Sequence, residues 1–231
     1  MRTRLYILSL TLLIFSGGLW AQRFSPFTLF GLNQTYYNPA ANGHQDVLSA
    51  DFFYRQNWVG VPGAYSTQTF GVHTPLKNPS LALGLLVEHD ASGATSTTGL
   101  HFSYAYRISF GANRMAFGLR AGMRIVSESI EGRDDFDPAW DVTNMPYYQP
   151  NFGFGMLFYA KKYWAGFSVP WIFDYTSDSA AAKYGIHYDP GANEYCLMAG
   201  GNINLTPDFG VEPSTFMVYY PADGATFAMN V

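Results

Sequence analysis

The chain has 231 residues, 13 basic and 17 acidic side chains, a formal net charge of −4, aromatic residues at 18% and charged residues at only 13%. The acidic balance argues against a nucleic-acid partner, and a single cysteine, Cys196, excludes an internal disulfide and has neither a resolving partner nor metal co-ligands. Beyond the N-terminal segment no run of 18 apolar residues occurs, which excludes a helical membrane protein and leaves a closed barrel as the only way for this chain to span lipid.

Residues 1–21 read as a secretion signal. Arg2 and Arg4 supply a positive start, Leu5 to Trp20 an apolar stretch too short to span, and Ala21 a small residue before a cut at Gln22. No cysteine follows, so lipoprotein processing is not expected. Residues 22–45 are not strand-like. They are rich in Asn, Pro, Gly and aromatics, and Phe27, Leu29, Phe30, Tyr36 and Tyr37 are too many apolar side chains to leave in water. The expectation is an ordered segment packed inside a barrel or under its periplasmic mouth, as a plug. Tyr37, Asn38 and Pro39 would form a turn, because Pro39 pushes Asn38 out of the helical region.

From residue 46 to residue 231 the pattern alternates with period two, which is that of β-strands. Strands are expected at 47–55, 66–73, 80–88, 96–107, 113–130, 150–160, 162–170, 193–206, 208–220 and 224–231. In 113–130, Phe117, Leu119, Ala121, Met123 and Ile125 share one face, opposite Ala116, Gly118, Arg120, Gly122 and Arg124. In 151–158, Phe152, Phe154, Met156 and Phe158 oppose Asn151, Gly153 and Gly155. An arginine at mid-depth in lipid costs ~2–4 kcal/mol, so Arg120 and Arg124 should point inward, with Glu88 or Glu128 as partners. Short turns at 112–114, 160–162 and 206–208 alternate with long connections at 89–95, 131–149 and 171–192, which is how outer-membrane barrels distribute their loops. The fold class expected is therefore all-β: an antiparallel transmembrane outer-membrane β-barrel with about ten strands visible. The last strand stops in mid-pattern at Val231, which suggests a barrel incomplete at its C-terminal end. A secreted soluble β-sandwich, such as an adhesin module, is disfavoured by outward rows such as Phe152, Phe154, Met156 and Phe158.

Catalysis and metal binding draw little support. His89 and Asp90 sit together, with His101 on the next strand, but no spacing places a nucleophile or second acid beside them. The acidic run Asp134, Asp135, Asp137 and Asp141 lacks the alternating ligands, central glycine and final glutamate of an EF-type calcium loop. Gly153 and Gly155 form no phosphate loop, since no helix follows them. No enzyme activity, cofactor or metal is expected.

Several stretches carry a resemblance. Tyr36-Tyr37-Asn38-Pro39-Ala40-Ala41-Asn42-Gly43 is similar to a "YNPAxxG" element. Tyr54-Arg55-Gln56-Asn57-Trp58-Val59-Gly60, with Gly63-Ala64 and Thr67-Gln68-Thr69, is similar to "YRxQWVGxxGAPxTQT", departing from it at Val61-Pro62 and Tyr65. His73-Thr74-Pro75-Leu76, Tyr104-Ala105-Tyr106-Arg107-Ile108, Pro150-Asn151-Phe152-Gly153 and Gly166-Phe167-Ser168-Val169-Pro170 follow in the same order. Together they resemble the PorP/SprF group of outer-membrane proteins of the type IX secretion system of Gram-negative bacteria. The resemblance covers roughly 24–231. It implies an outer-membrane barrel that supports export or surface attachment of cargo bearing a C-terminal sorting domain, gliding-motility adhesins being typical cargo. It implies as partners the periplasmic and outer-membrane components of that system, the secreted cargo and the lipid bilayer. The residues singled out for plug or partner binding are Tyr37, Asn38, Pro39, Arg120 and Arg124. A passive porin for small solutes is the second reading.

Overall fold

The structure is a computed structural model that describes residues 30–128, 146–173, 175, 190–191, 193–206, 209–222 and 224–230. The secretion signal, the first residues of the N-terminal segment, the acidic run from Asp134 to Asp141 and most of the 171–192 connection lie outside the described residues. Among the described residues, a one-turn helix α1 (Gln34–Tyr37) and a 3-10 turn (Pro39–Ala41) precede twelve strands. These are β1 (Ser49–Gln56), β2 (Ser66–Pro75), β3 (Leu81–Ser92), β4 (Thr95–Phe110), β5 (Asn113–Glu128), β6 (Tyr147–Tyr159), β7 (Tyr163–Val169), β8 (Tyr195–Gly201), β9 (Ile203–Thr206), β10 (Phe209–Val211), β11 (Ser214–Tyr220) and β12 (Gly224–Asn230). Ten of them form one antiparallel sheet in the order β1-β2-β3-β4-β5-β6-β7-β8-β11-β12, and β9 and β10 form a hairpin of their own. The fold is all-β, and no helix among the described residues is long and apolar enough to cross a membrane. The sheet is consistent with an outer-membrane β-barrel, but it is not closed: β1 and β12 are its edges.

Burial is inverted relative to a soluble protein. On β4, Leu100, Phe102, Tyr104 and Tyr106 are exposed, while Gly99, His101, Ser103, Ala105 and Arg107 between them are buried. Phe102 is 60% exposed and Leu119 64%, against 0% for His101 and 2% for Arg120. A sheet with aromatic residues outside and charges inside suits lipid on its convex face. Leu119→Arg is therefore expected to destabilise the lipid-embedded protein by ~2–4 kcal/mol, read as a shift in the urea unfolding midpoint in vesicles. An unchanged midpoint would mean that this face does not meet lipid.

Two expectations need correction. The 89–95 stretch is not a long loop: β3 runs on to Ser92, β4 starts at Thr95, and only Gly93 and Ala94 turn the chain. Gly93 takes φ +57 there, a value that suits glycine. His89, Asp90 and Ser92 lack an apolar period but still pair with Thr98, Thr97 and Thr95, so these strands continue as a polar ribbon beyond the apolar band. Nor are 193–206 and 208–220 single strands. β8 ends at Gly201, β11 starts after Pro213, which has no N–H for a ladder, and the β9–β10 hairpin branches off between them. By the antiparallel order, segment 57–65, the turn at Gly93–Ala94 and the C-terminal ends of β5 and β7 lie at one rim, and segments 76–80, 111–112 and 160–162 at the other.

The sheet is tightly curled. Asn33 Nδ2 donates to Thr69 Oγ1 on β2 at 3.3 Å, while Tyr37, at the far end of α1, packs its ring 4.4 Å from that of Phe216 on β11. Those strands are seven places apart in the sheet order, about 34 Å if the sheet were flat, yet one helical turn of about 6 Å reaches both. The sheet must wrap around the N-terminal segment.

Candidate functional site

The site is the concave face of the sheet with residues 30–46 lying in it. The sequence shapes this segment locally. Asn38, before Pro39, is extended at φ −128 and ψ 109. It ends α1 and begins the 3-10 turn, its side chain accepting from Ala40 N at 2.9 Å, and Pro39 follows where its missing N–H is harmless. Asn42 closes the turn by donating from Nδ2 to Pro39 O at 2.7 Å.

The short helix leaves its last carbonyls without partners of its own, and the sheet supplies nearly all of them. Asn38 N donates to Gln34 O at 2.8 Å. Arg120 of β5 donates to Tyr36 O at 2.7 Å and to Thr35 O. Ser168 of β7 donates from its hydroxyl to Tyr37 O at 2.9 Å. Asn38 Nδ2 donates to Met156 O of β6 at 2.9 Å, which ties the turn to the sheet backbone. Phe30 stacks on Phe216 at 5.1 Å, and Cys196, Met198 and Val218 complete that apolar seat.

Near the short-turn rim the segment is held by charge. Arg107 of β4 donates to Gly43 O and to Asp46 Oδ1, each at 2.6 Å, and Arg114 of β5 pairs with Asp46 Oδ2. Gly43 N donates to His73 Nδ1 of β2 at 3.1 Å. Burial works against the Asp46 carboxylate, but the hydrogen bonds from Arg114 and Arg107 hold it below the usual value. Its contribution to docking is therefore full above the ordinary carboxylate pKa of about 4 and is lost only as pH falls through its lower docked value. Between about pH 8 and about pH 5 Asp46 should add no pH dependence. Burial lowers His44 more than its hydrogen bond to Ala41 O raises it, so docking is favoured above about pH 6.5 and weakens below it.

Glycines make room for the segment. A Cβ on Gly118 would overlap the backbone of Pro39 and Ala40, one on Gly155 would overlap Asn38 Oδ1, and one on Gly84 would overlap the Asn42 amide. All three project inward, on β5, β6 and β3.

A second cluster lies further along the same face toward the long-loop rim. Arg124 Nε donates to Glu88 Oε1 at 2.6 Å, and His101 Nε2 lies 3.2 Å from the same oxygen. Trp171 covers them, with its ring 3.9 Å from the Arg124 guanidinium, 5.2 Å from that of Arg120 and 4.6 Å from the His101 ring. Asn151 holds the chain beside Trp171 in place: its Oδ1 accepts from Ile172 N at 2.9 Å and from Phe173 N at 3.0 Å, and its Nδ2 donates to Phe173 O at 2.7 Å. His89, by contrast, lies outside this cluster and bonds to Thr98 Oγ1 at 2.9 Å near the exposed rim.

Of the residues singled out in the sequence, Tyr37, Asn38, Pro39 and Arg120 come together. Arg124 does not join them and pairs with Glu88 instead. Ser168, His73 and the glycine seats were missed. The available signal was inward glycines on β3, β5 and β6 at positions where one segment could pass beneath all three.

Residues 20–231 match a family model described as "Type IX secretion system membrane protein PorP/SprF". No curated protein and no solved structure matches the chain.

Proposed function

Because this chain belongs to the PorP/SprF family of type IX secretion system membrane proteins, we propose that it is an outer-membrane accessory component that supports export or surface attachment of cargo bearing C-terminal sorting domains. Gliding-motility adhesins are the cargo class proposed. The reading is non-enzymatic: the protein holds and hands over other proteins. Its machinery partners would meet the short-turn rim and its cargo the long-loop rim. The observation that carries this reading against the porin is the occupied concave face. Residues 30–46 lie across it, bonded to β2, β4, β5, β6 and β7, where a diffusion pore needs water. In this reading the segment is a plug, with Tyr37, Asn38, Pro39 and Arg120 as its anchor.

The test is removal of the protein from its host cell. Sorting-domain cargo should disappear from the surface and return when the gene is restored. Retained surface cargo together with slower uptake of small solutes would favour the porin and refute the secretion role.

A further inference from the structure

The rim-side end of the docked segment hangs on a bond that a proton can break. Gly43 N donates to His73 Nδ1, so in the docked state that nitrogen is an acceptor and the imidazole is neutral. His73 is buried, and the His44 ring lies 6.1 Å away. We propose that His73 is a proton-operated latch: a proton taken from water onto Nδ1 displaces the Gly43 N–H and frees the 43–46 end of the segment, leaving the Phe30 and Asn38 anchors in place. The proposal rests on the plug reading above and adds the condition under which the plug loosens.

The surroundings favour release over accommodation of the charge. His73 is buried, the His44 ring lies beside it, and Arg107 on β4 holds the carbonyl of the same Gly43 whose N–H His73 accepts, so a second positive charge is opposed there, while Asp46 is already bonded to Arg107 and to Arg114 on β5. Two further acids bear on it. Asp51 on β1 pairs with Gly71, one inward position along β2 from His73, and Glu212 acts on His44 from the β10–β11 connection. Both favour a proton on the imidazoles, but neither can restore the acceptor that Gly43 loses. Asp46 itself stays ionised through the range in which histidines titrate.

The experiment is amide hydrogen exchange on the full chain in lipid nanodiscs, read at Gly43 and divided by the intrinsic rate at each pH. Docking that requires a neutral imidazole weakens about tenfold per pH unit below about 6.5. Protection of Gly43 should therefore fall by at least about tenfold between about pH 7.5 and about pH 5.5. His73→Asn keeps an acceptor near the Nδ1 position and cannot be protonated, so its Gly43 protection should fall about tenfold less than the wild type's, keeping only the share that His44 contributes. His44→Asn should keep the dependence on pH. A flat wild type, an equal fall in the asparagine variant at 73, or a fall abolished only at position 44 would overturn the latch while leaving a docked plug. A Gly43 amide already unprotected at about pH 7.5 would overturn the plug reading and the latch with it.

Discussion

Gly118→Leu is expected to expel the N-terminal segment while leaving the sheet standing. The added Cβ falls on the backbone of Pro39 and Ala40, which cannot rotate aside as a side-chain tip could. Overpacking a filled site costs typically ~1–3 kcal/mol, and a clash with backbone belongs at the upper end, enough to shift docking by about a hundredfold. Chymotrypsin should then cut at Tyr36 and Tyr37 of the native protein at least about tenfold faster than in the parent. Ala121→Leu, on the same strand but on its exposed outer face, adds the same side chain away from the segment and should leave cleavage unchanged. Equal cleavage in the Gly118 variant and the parent would mean that the segment does not occupy the seat described.

Arg120→Met should loosen the helix end of the segment. The guanidinium is buried and serves two carbonyls of α1. Methionine fills much of the space but leaves Thr35 O and Tyr36 O without donors, at about 1–3 kcal/mol for each orphaned group. Amide exchange at Asn38, which donates to Gln34 O, should rise by about tenfold or more. Arg120→Lys should recover only part of the loss, because an ammonium lacks the planar fork that spans both carbonyls. Full recovery by lysine would show that charge alone, not the two-carbonyl geometry, is what Arg120 provides.

The strands were legible because an apolar outward face and packed polar groups on the inward one impose a strict two-residue period, seen most plainly from Leu100 to Arg107. Where that force fades the reading slipped. His89 to Ser92 stand beyond the apolar band and carry no period, so hydrogen bonding alone keeps them in β3. The branch at Gly201 and Pro213 was hidden because β8 and β9 each alternate, and nothing local says that they belong to different sheets. The inward direction of Arg120 and Arg124 followed from the cost of a cation in lipid. Their division of labour did not, since it depends on register: Gly99 lies opposite both Glu88 and Arg124, which puts that ion pair across β4, while Arg120 falls at the level of Ser103 and meets the segment. The glycine seats were visible as residues but not as a site, because the segment that fills them arrives from far away in the sequence.

The most direct test of the central claim is the conductance of the intact protein in a planar lipid bilayer at neutral pH. A barrel whose concave face holds residues 30–46 should show no large steady open state, and the Gly118→Leu protein should show one under the same conditions. A large, steady conductance in the intact protein, unchanged by that substitution, would contradict the account.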